Sequence, residues 1–187
     1  MTVRPILQIG DPALRRVARP VPDPRDVRDL IGDLIDTMRD ANGAGLAATQ
    51  IGVDLRVCVI EVGDNPRYPY KPPIPLTVLI NPELQPLTAE TFENYEGCLS
   101  VPNLRGMVRR WVGVRVRALD AEGAPVDREV WGLSAGTFQH EVDHLDGKLF
   151  VDRVEDPTTF SSWASFDTFH RAAFVARAQA LVRRFGS

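Results

Sequence analysis

Apolar residues recur at three- and four-residue steps through DPRDVRDLIGDLIDTMRDANG, where Val27, Leu30, Ile31, Leu34, Ile35 and Met38 form one stripe of a helix. Asp23 is placed to cap it, Pro24 suits its first turn, and Gly43 lies where the chain leaves it. LRVCVIEV (55–62) and LTVLINPEL (76–84) are rich in β-branched residues and bounded by breakers, which predicts strands. Between them NPRYPYKPPIP holds five prolines, too many for a regular core element, so residues 65–76 are expected to form an exposed insertion.

Farther on, Val112, Val114, Val116 and Ala118 alternate with Arg115 and Arg117, and Val126, Arg128 and Val130 alternate again after a turn at Ala121, Glu122 and Gly123. That pattern predicts an antiparallel hairpin. Ala135, Phe138, Val142 and Leu145 then fall on one side of a helix. The last segment, SFDTFHRAAFVARAQALVRRF, predicts a terminal amphipathic helix with Phe166, Phe169 and Ala173 on its stripe. Arg171, Arg177, Arg183 and Arg184 make its other side basic, either a solvated face or a contact for an anionic partner.

With 187 residues, the chain can bury one sizeable core and is expected to be one domain, 1–187, with a core over about 1–155 and a helical extension over about 160–187. A net charge of −3 gives no global positive field and argues against nucleic acid as the main ligand. No signal h-region or membrane-length apolar run is present, which leads to the expectation of a cytoplasmic protein without a membrane partner. The two cysteines, Cys58 and Cys98, fit a reducing compartment.

Candidate chemistry centres on QHEVDHLDG, residues 139–147. On a helix, His144 lies about 40° from His140 and Glu141 about 100° from it, while Phe138, Val142 and Leu145 cluster on the far side. Two histidines so placed can direct ring nitrogens at one cation, with the glutamate at the edge of that face, close to a metal-activated water without being a ligand. A catalytic metal site needs a third protein ligand. His170 reads as an ordinary residue of the terminal helix, and Cys58, inside an apolar strand, reads as a small buried hydrophobe. Cys98, in EGCLSVP, lies in chain that Ser100 and Pro102 mark as irregular and is the better ligand. GAGLAATQ (43–50) adds two close-approach glycines and the amide of Gln50, a weak signal by itself.

Taken together, GAGLAATQ, EGCLS and QHEVDHLDG, in this order and at these separations, resemble the three signature motifs of the peptide deformylases. LINPEL, RGMVRR, VRVRALDAEG and GKLFVDRV extend the likeness over roughly residues 1–155. The proline-rich insertion and DRVEDPTTFSSW are similar to the family's mitochondrial-like branch, whereas Leu99 after Cys98 matches the common bacterial form.

The resemblance implies an α+β fold, with a central metal-bearing helix surrounded by antiparallel sheets and helices at both ends of the chain. It implies removal of the formyl group from the N-terminal methionine of nascent chains. Cys98, His140 and His144 would hold one divalent metal, ferrous iron in the cell, with zinc, nickel or cobalt in purified protein. Glu141 would be the general acid/base, and Gln50 with the Leu99 amide would face the formyl oxygen. Ala44, Glu96, Gly97, Leu133, Gly136 and Thr137 would line an apolar pocket for the methionine, Gly43 would join the substrate site, Gly45 would offer backbone hydrogen bonds to the peptide, and Arg105 would meet the substrate backbone. Formylmethionyl peptides would be the partner, with the basic terminal helix a contact for the ribosome.

Two other classes stay open from sequence. One is a zinc peptidase of the HExxH type, its third ligand supplied downstream by Asp152 or Glu155. The other is a non-catalytic ribosome-associated module.

Overall fold

The computed structural model describes residues 2–63 and 70–187. A single 3₁₀ turn, Pro24–Val27, capped by the Asp23 side chain, leads into α1, Arg28–Asp40. Val27, Ile31, Leu34 and Met38 are buried, so the expected stripe faces the core. The left-handed residue that ends the helix is Asn42 (φ 52°) rather than Gly43, whose amide instead bonds Met38 O at 2.9 Å.

Among the described residues seven strands follow, in the order β1 (Gly45–Ala47), β2 (Val57–Val62), β3 (Ile74–Pro86), β4 (Thr91–Cys98), β5 (Val101–Trp111), β6 (Gly113–Leu119) and β7 (Pro125–Trp131). They make a five-stranded antiparallel sheet, β1-β2-β3-β6-β7, and a separate hairpin, β4-β5. The expected β6-β7 hairpin pairs Val114 with Val130 and Val116 with Arg128.

Helix α2, Gly132–Leu145, lies between sheet and hairpin. Ala135, Phe138 and Leu145 pack on Cys58, Ile60, Leu79, Val114 and Val116. The opposite face of the sheet is covered by α1 through Leu34, Met38, Val57, Val59 and Ile80. Full burial of a side chain such as Phe138 contributes about 2 kcal/mol. Unlike α1, α2 is enclosed on every side, with only His140 partly exposed among its residues. Its polar residues therefore need internal partners: Gln139 bonds Trp111 N and O, and Asp143 meets Arg110 and Arg153.

The terminal segment runs through α3 (Trp163–Ser165), a π turn over Phe166–His170 and α4 (Arg171–Phe185). The π turn carries an Arg171 N–H bond to Phe166 O, which adds a residue to the turn and moves the stripe. The buried positions become Phe166, Phe174 and Ala178, while Phe169 is 75% exposed. The expected stripe of Phe166, Phe169 and Ala173 is thus corrected after its first member.

The proline-rich stretch differs from its reading as an exposed insertion. Residues 65–69 lie outside the described residues, but Tyr70 and Lys71 are partly buried and Ile74 already begins β3 as a core residue. No helix among the described residues is long and apolar enough to cross a membrane.

Candidate metal centre and active site

Strand β4 ends at Cys98, in a tight β4-β5 hairpin where Leu99 and Ser100 make the turn and Cys98 pairs with Val101. Cys98 closes a strand, but the register breaks there, since Gly97 pairs with Arg105 and Cys98 with Val101, so the chain around it is irregular as expected. Its Sγ lies 3.3 Å from His144 Nε2, and one donor atom from each of Cys98, His140 and His144 falls within 4.8 Å of the others. His140 directs Nδ1 at Glu96 Oε2, 2.8 Å away, which leaves its Nε2 for the other donors. His144 Nδ1 is buried and without a hydrogen-bond partner.

A thiolate and two imidazoles gathered this closely fit a borderline or soft divalent ion. Burial above all pushes the His144 pKa well below its ordinary value, keeping that imidazole neutral as a ligand must be.

Glu96 was expected in the substrate pocket. It borders that pocket, but its carboxylate is committed to His140 and to Nε and Nη2 of Arg110, each at 2.8 Å. Burial would raise its pKa, yet the Arg110 charge and hydrogen bonds, with His140, hold it well below the usual carboxylate range. Arg110 reaches on to Asp143 at 2.6 Å, and Asp143 also pairs with Arg153. The buried chain His140, Glu96, Arg110, Asp143 thus ties the C-terminal half of α2 to the hairpin.

Glu141 is 4% exposed, and its Oε2 has no hydrogen-bond partner among the described residues. Desolvation pushes its pKa up to about 7, a range suited to taking and returning a proton at neutral pH. Gly45 makes room for it: a Cβ there would stand 2.4 Å from Glu141 Oε1. Gln50, at the end of the 3₁₀ turn Ala48–Ile51, accepts from Ala47 N at 2.9 Å and donates Nε2 to Ser100 Oγ at 3.1 Å and Cys98 Sγ at 3.5 Å. Its amide is therefore oriented beside the triad.

A pocket opens on these groups, lined by Gly43, Ala44, Gly45, Gln50, Leu99, Gly97, Gly136 and Thr137 as well as Cys98, His140 and Glu141. Arg105 also lines it, with its side chain almost wholly enclosed. Leu133 does not: it packs with Tyr95, Phe166, Phe174 and Ala178, one turn too far along α2 to reach the opening.

Sequence reading missed Tyr70, Lys71, Asn94 and Tyr95, which make the pocket more polar than a methionine slot was expected to be. Lys71 Nζ bonds Thr137 Oγ1 at 3.1 Å, and desolvation lowers its pKa to about 8. Alternation in ENYE could have exposed Asn94 and Glu96 as sharing a strand face, but nothing local signalled Lys71.

The remaining named groups lie elsewhere. Cys58 is fully buried in β2, and neither cysteine forms a disulfide. His170 is solvent-exposed and stacks on Tyr95. Asp152 accepts from Leu149 N and pairs with Arg15, and Glu155 faces Arg109 at 3.7 Å, so neither downstream carboxylate joins the donor triad.

Three soft or borderline donors beside a buried, protonatable glutamate define the class of metal-dependent amide hydrolases. Residues 3–160 match the polypeptide deformylase family model, and the chain belongs to that family. Peptide deformylase 1 of Prochlorococcus marinus is 48% identical over 171 residues, covering 90% of this chain and 89% of that protein. Peptide deformylase 2 of Ralstonia nicotianae is 49% identical over 160 residues, covering 84% of this chain and 90% of that protein.

Among solved structures, a Met-Ala-Ser-bound class I type b peptide deformylase from Acinetobacter baumannii superposes with a TM-score of 0.77 at 38% identity, covering 82% of this chain and 99% of that one. A peptide deformylase from Legionella pneumophila gives 0.73 at 36%, covering 99% and 96%. The family comprises hydrolases that bind one divalent metal and remove the formyl group from the N-terminal formylmethionine of nascent peptides. This chain is such a hydrolase, with the α+β fold of the family.

Proposed function

We propose that Cys98, His140 and His144 hold one divalent ion in this chain, ferrous in the cell, and that Glu141 is the proton carrier for hydrolysis of the formyl amide. The carrying observation is the convergence of the three donor atoms within 4.8 Å, beside a buried glutamate whose Oε2 has no partner. A thiolate with two imidazoles accepts iron, zinc, nickel or cobalt alike, so iron rests on the family likeness.

Such an ion supplies Lewis acidity, polarising the formyl carbonyl and making a water acidic near neutral pH. Glu141 takes a proton from the attacking water as its oxygen adds to the formyl carbon. The developing oxyanion faces the Gln50 amide, which Ala47 N and Ser100 Oγ hold in place, and the N–H of Leu99 at the hairpin turn. Loss of one such donor raises the barrier by about 3 kcal/mol. As the C–N bond breaks, Glu141 delivers the proton to the leaving nitrogen, and formate and a free N-terminus separate. Gly43, Ala44, Gly45, Gly97, Gly136 and Thr137 enclose the methionine, with the backbone at Gly45 available to the peptide.

The same reading takes residues 1–187 as one domain, supported by the packing of Phe166 and Phe174 with Leu133 of α2. It places the protein in the cytoplasm, where nascent chains emerge. It also assigns ribosome contact to the basic face of α4, where Arg177 and Arg183 are exposed while Arg184 is occupied by Glu90.

The test is formate release from formyl-Met-Ala-Ser by protein loaded anaerobically with ferrous iron, comparing wild type with Cys98→Ser and Glu141→Ala. Wild type is expected to turn over, Cys98→Ser to lose metal and activity together, and Glu141→Ala to keep metal without turnover. Internal peptide cleavage by a metal-retaining Cys98→Ser variant would make it a peptidase instead.

A further inference from the structure

Arg105 is a buried cation with an unusual set of neighbours. Its side chain is 1% exposed, and no carboxylate among the described residues lies within ion-pair distance. Nη2 donates to Tyr95 O and, at 3.5 Å, to Tyr70 Oη, while Nε has no hydrogen-bond partner among the described residues. What covers the charge is aromatic: the guanidinium carbon sits 4.5 Å from the centre of the Trp163 ring and 3.9 Å from that of Phe166.

Both rings belong to the segment beyond residue 160, where the family match ends. That segment is fastened at the same spot by two backbone bonds, Arg105 N to Ser161 O at 2.8 Å and Ser161 N to Arg105 O at 2.9 Å. Trp163 also presses on the residue just before Cys98, since a Cβ on Gly97 would stand 3.2 Å from its Cζ2.

We propose that Trp163, with Phe166, is a positioning residue for the substrate pocket, holding Arg105 where it meets carbonyl oxygens of the peptide beyond the formylated methionine. The proposal rests on the reading of the pocket as the peptide site. Its physical ground is that a guanidinium with one strong acceptor and no carboxylate is under-satisfied where it lies. Two π faces offset part of its desolvation and fix its plane, and the acceptors still wanted are those a peptide backbone brings. The terminal extension is then part of the catalytic unit as well as any docking surface it presents.

The test uses full-length, metal-loaded protein and two substrates, formyl-Met-Ala-Ser and formyl-Met amide, the second lacking the downstream backbone. Trp163→Leu keeps an apolar cover over Gly97 while removing the π face; Trp163→Phe restores a π face. For the longer peptide, Trp163→Leu is expected to raise KM on the order of tenfold with kcat within about twofold. The short substrate should show no such rise, and Trp163→Phe should return KM toward wild type. Added to Arg105→Ala, Trp163→Leu should cost little more on the longer peptide.

Binding of the product Met-Ala-Ser, followed by NMR, gives a readout independent of turnover, with the dissociation constant rising in parallel. A wild type that releases no formate while Trp163→Leu still weakens Met-Ala-Ser binding would sink the catalytic reading and support the positioning role. Equal losses on both substrates, a loss confined to kcat, or full additivity with Arg105→Ala would overturn the positioning role.

Discussion

Glu96 Oε2 stands 2.8 Å from Nδ1 of His140, with Arg110 closing on the same carboxylate from the other side. A carboxylate placed there fixes which ring nitrogen of the histidine faces Cys98 and His144, and Arg110 fixes the carboxylate. The proposed metal centre is thus aimed by an ion pair buried between α2 and the β4-β5 hairpin.

Removing that carboxylate should act on metal binding and folding together. Glu96→Ala is expected to weaken metal affinity about 10- to 100-fold, read by competition with a chelator. It should also cost about 3 kcal/mol of stability, because Arg110 keeps only Asp143 as a buried counter-charge. Glu96→Gln retains an acceptor for His140 and should recover part of the affinity. Unchanged affinity in Glu96→Ala would show that His140 needs no orienting partner.

Gly45→Ala sets a methyl group against Glu141, at 2.4 Å from Oε1 in the present geometry. The carboxylate must move, and a displacement of about 1 Å at a proton-transferring group costs about 100-fold in rate. Metal content, measured by atomic absorption, should stay at one ion per chain while kcat falls. Loss of metal instead would place the damage at the ligands.

In the metal-free protein, Glu141 should leave a signature in stability against pH. Burial raises its folded pKa from 4.5 to about 7, so the folded state holds this proton more tightly than the unfolded chain does. Its contribution is fully present below about 4.5 and is lost as pH rises through about 7. Urea unfolding of wild type and Glu141→Gln at pH 5 and pH 8 isolates the effect: relative to the variant, wild type should lose about 2.5 kcal/mol on going to the higher pH. A difference independent of pH would mean that Glu141 titrates normally.

Leu133, read from sequence as a wall of the methionine pocket, is a core residue under the terminal helix. Leu133→Ala should cost about 3 kcal/mol by leaving a cavity. Denaturant unfolding should record that loss while KM for formyl-Met-Ala-Ser stays within about twofold. A rise in KM without loss of stability would return Leu133 to the pocket.

Legibility followed how each segment handles its polar residues. The β6-β7 hairpin was readable because Val114 and Val116 are buried while Arg117 faces water. The β4-β5 hairpin was not, although it carries Cys98, because Asn94, Glu96, Arg105 and Arg110 are buried on it and erase the apolar alternation. Those charges are tolerable through one another and through partners on α2 and the terminal segment, far away in sequence. For the terminal helix, period counting failed at the π turn, because the stripe depends on where Phe166 and Phe174 meet Tyr95.

By itself the sequence determined α1 and the helical face shared by His140 and His144, through spacings that one helix period contains, and its resemblance to the family implied the α+β class and the proposed ligand set. Only the tertiary structure decided what aims those groups: Glu96 on His140, Gly45 against Glu141, Lys71 on Thr137, and Trp163 over Arg105. Each of these joins residues from different elements, and a buried charge or an unpartnered carboxylate takes its chemistry from whichever groups the folded chain brings against it.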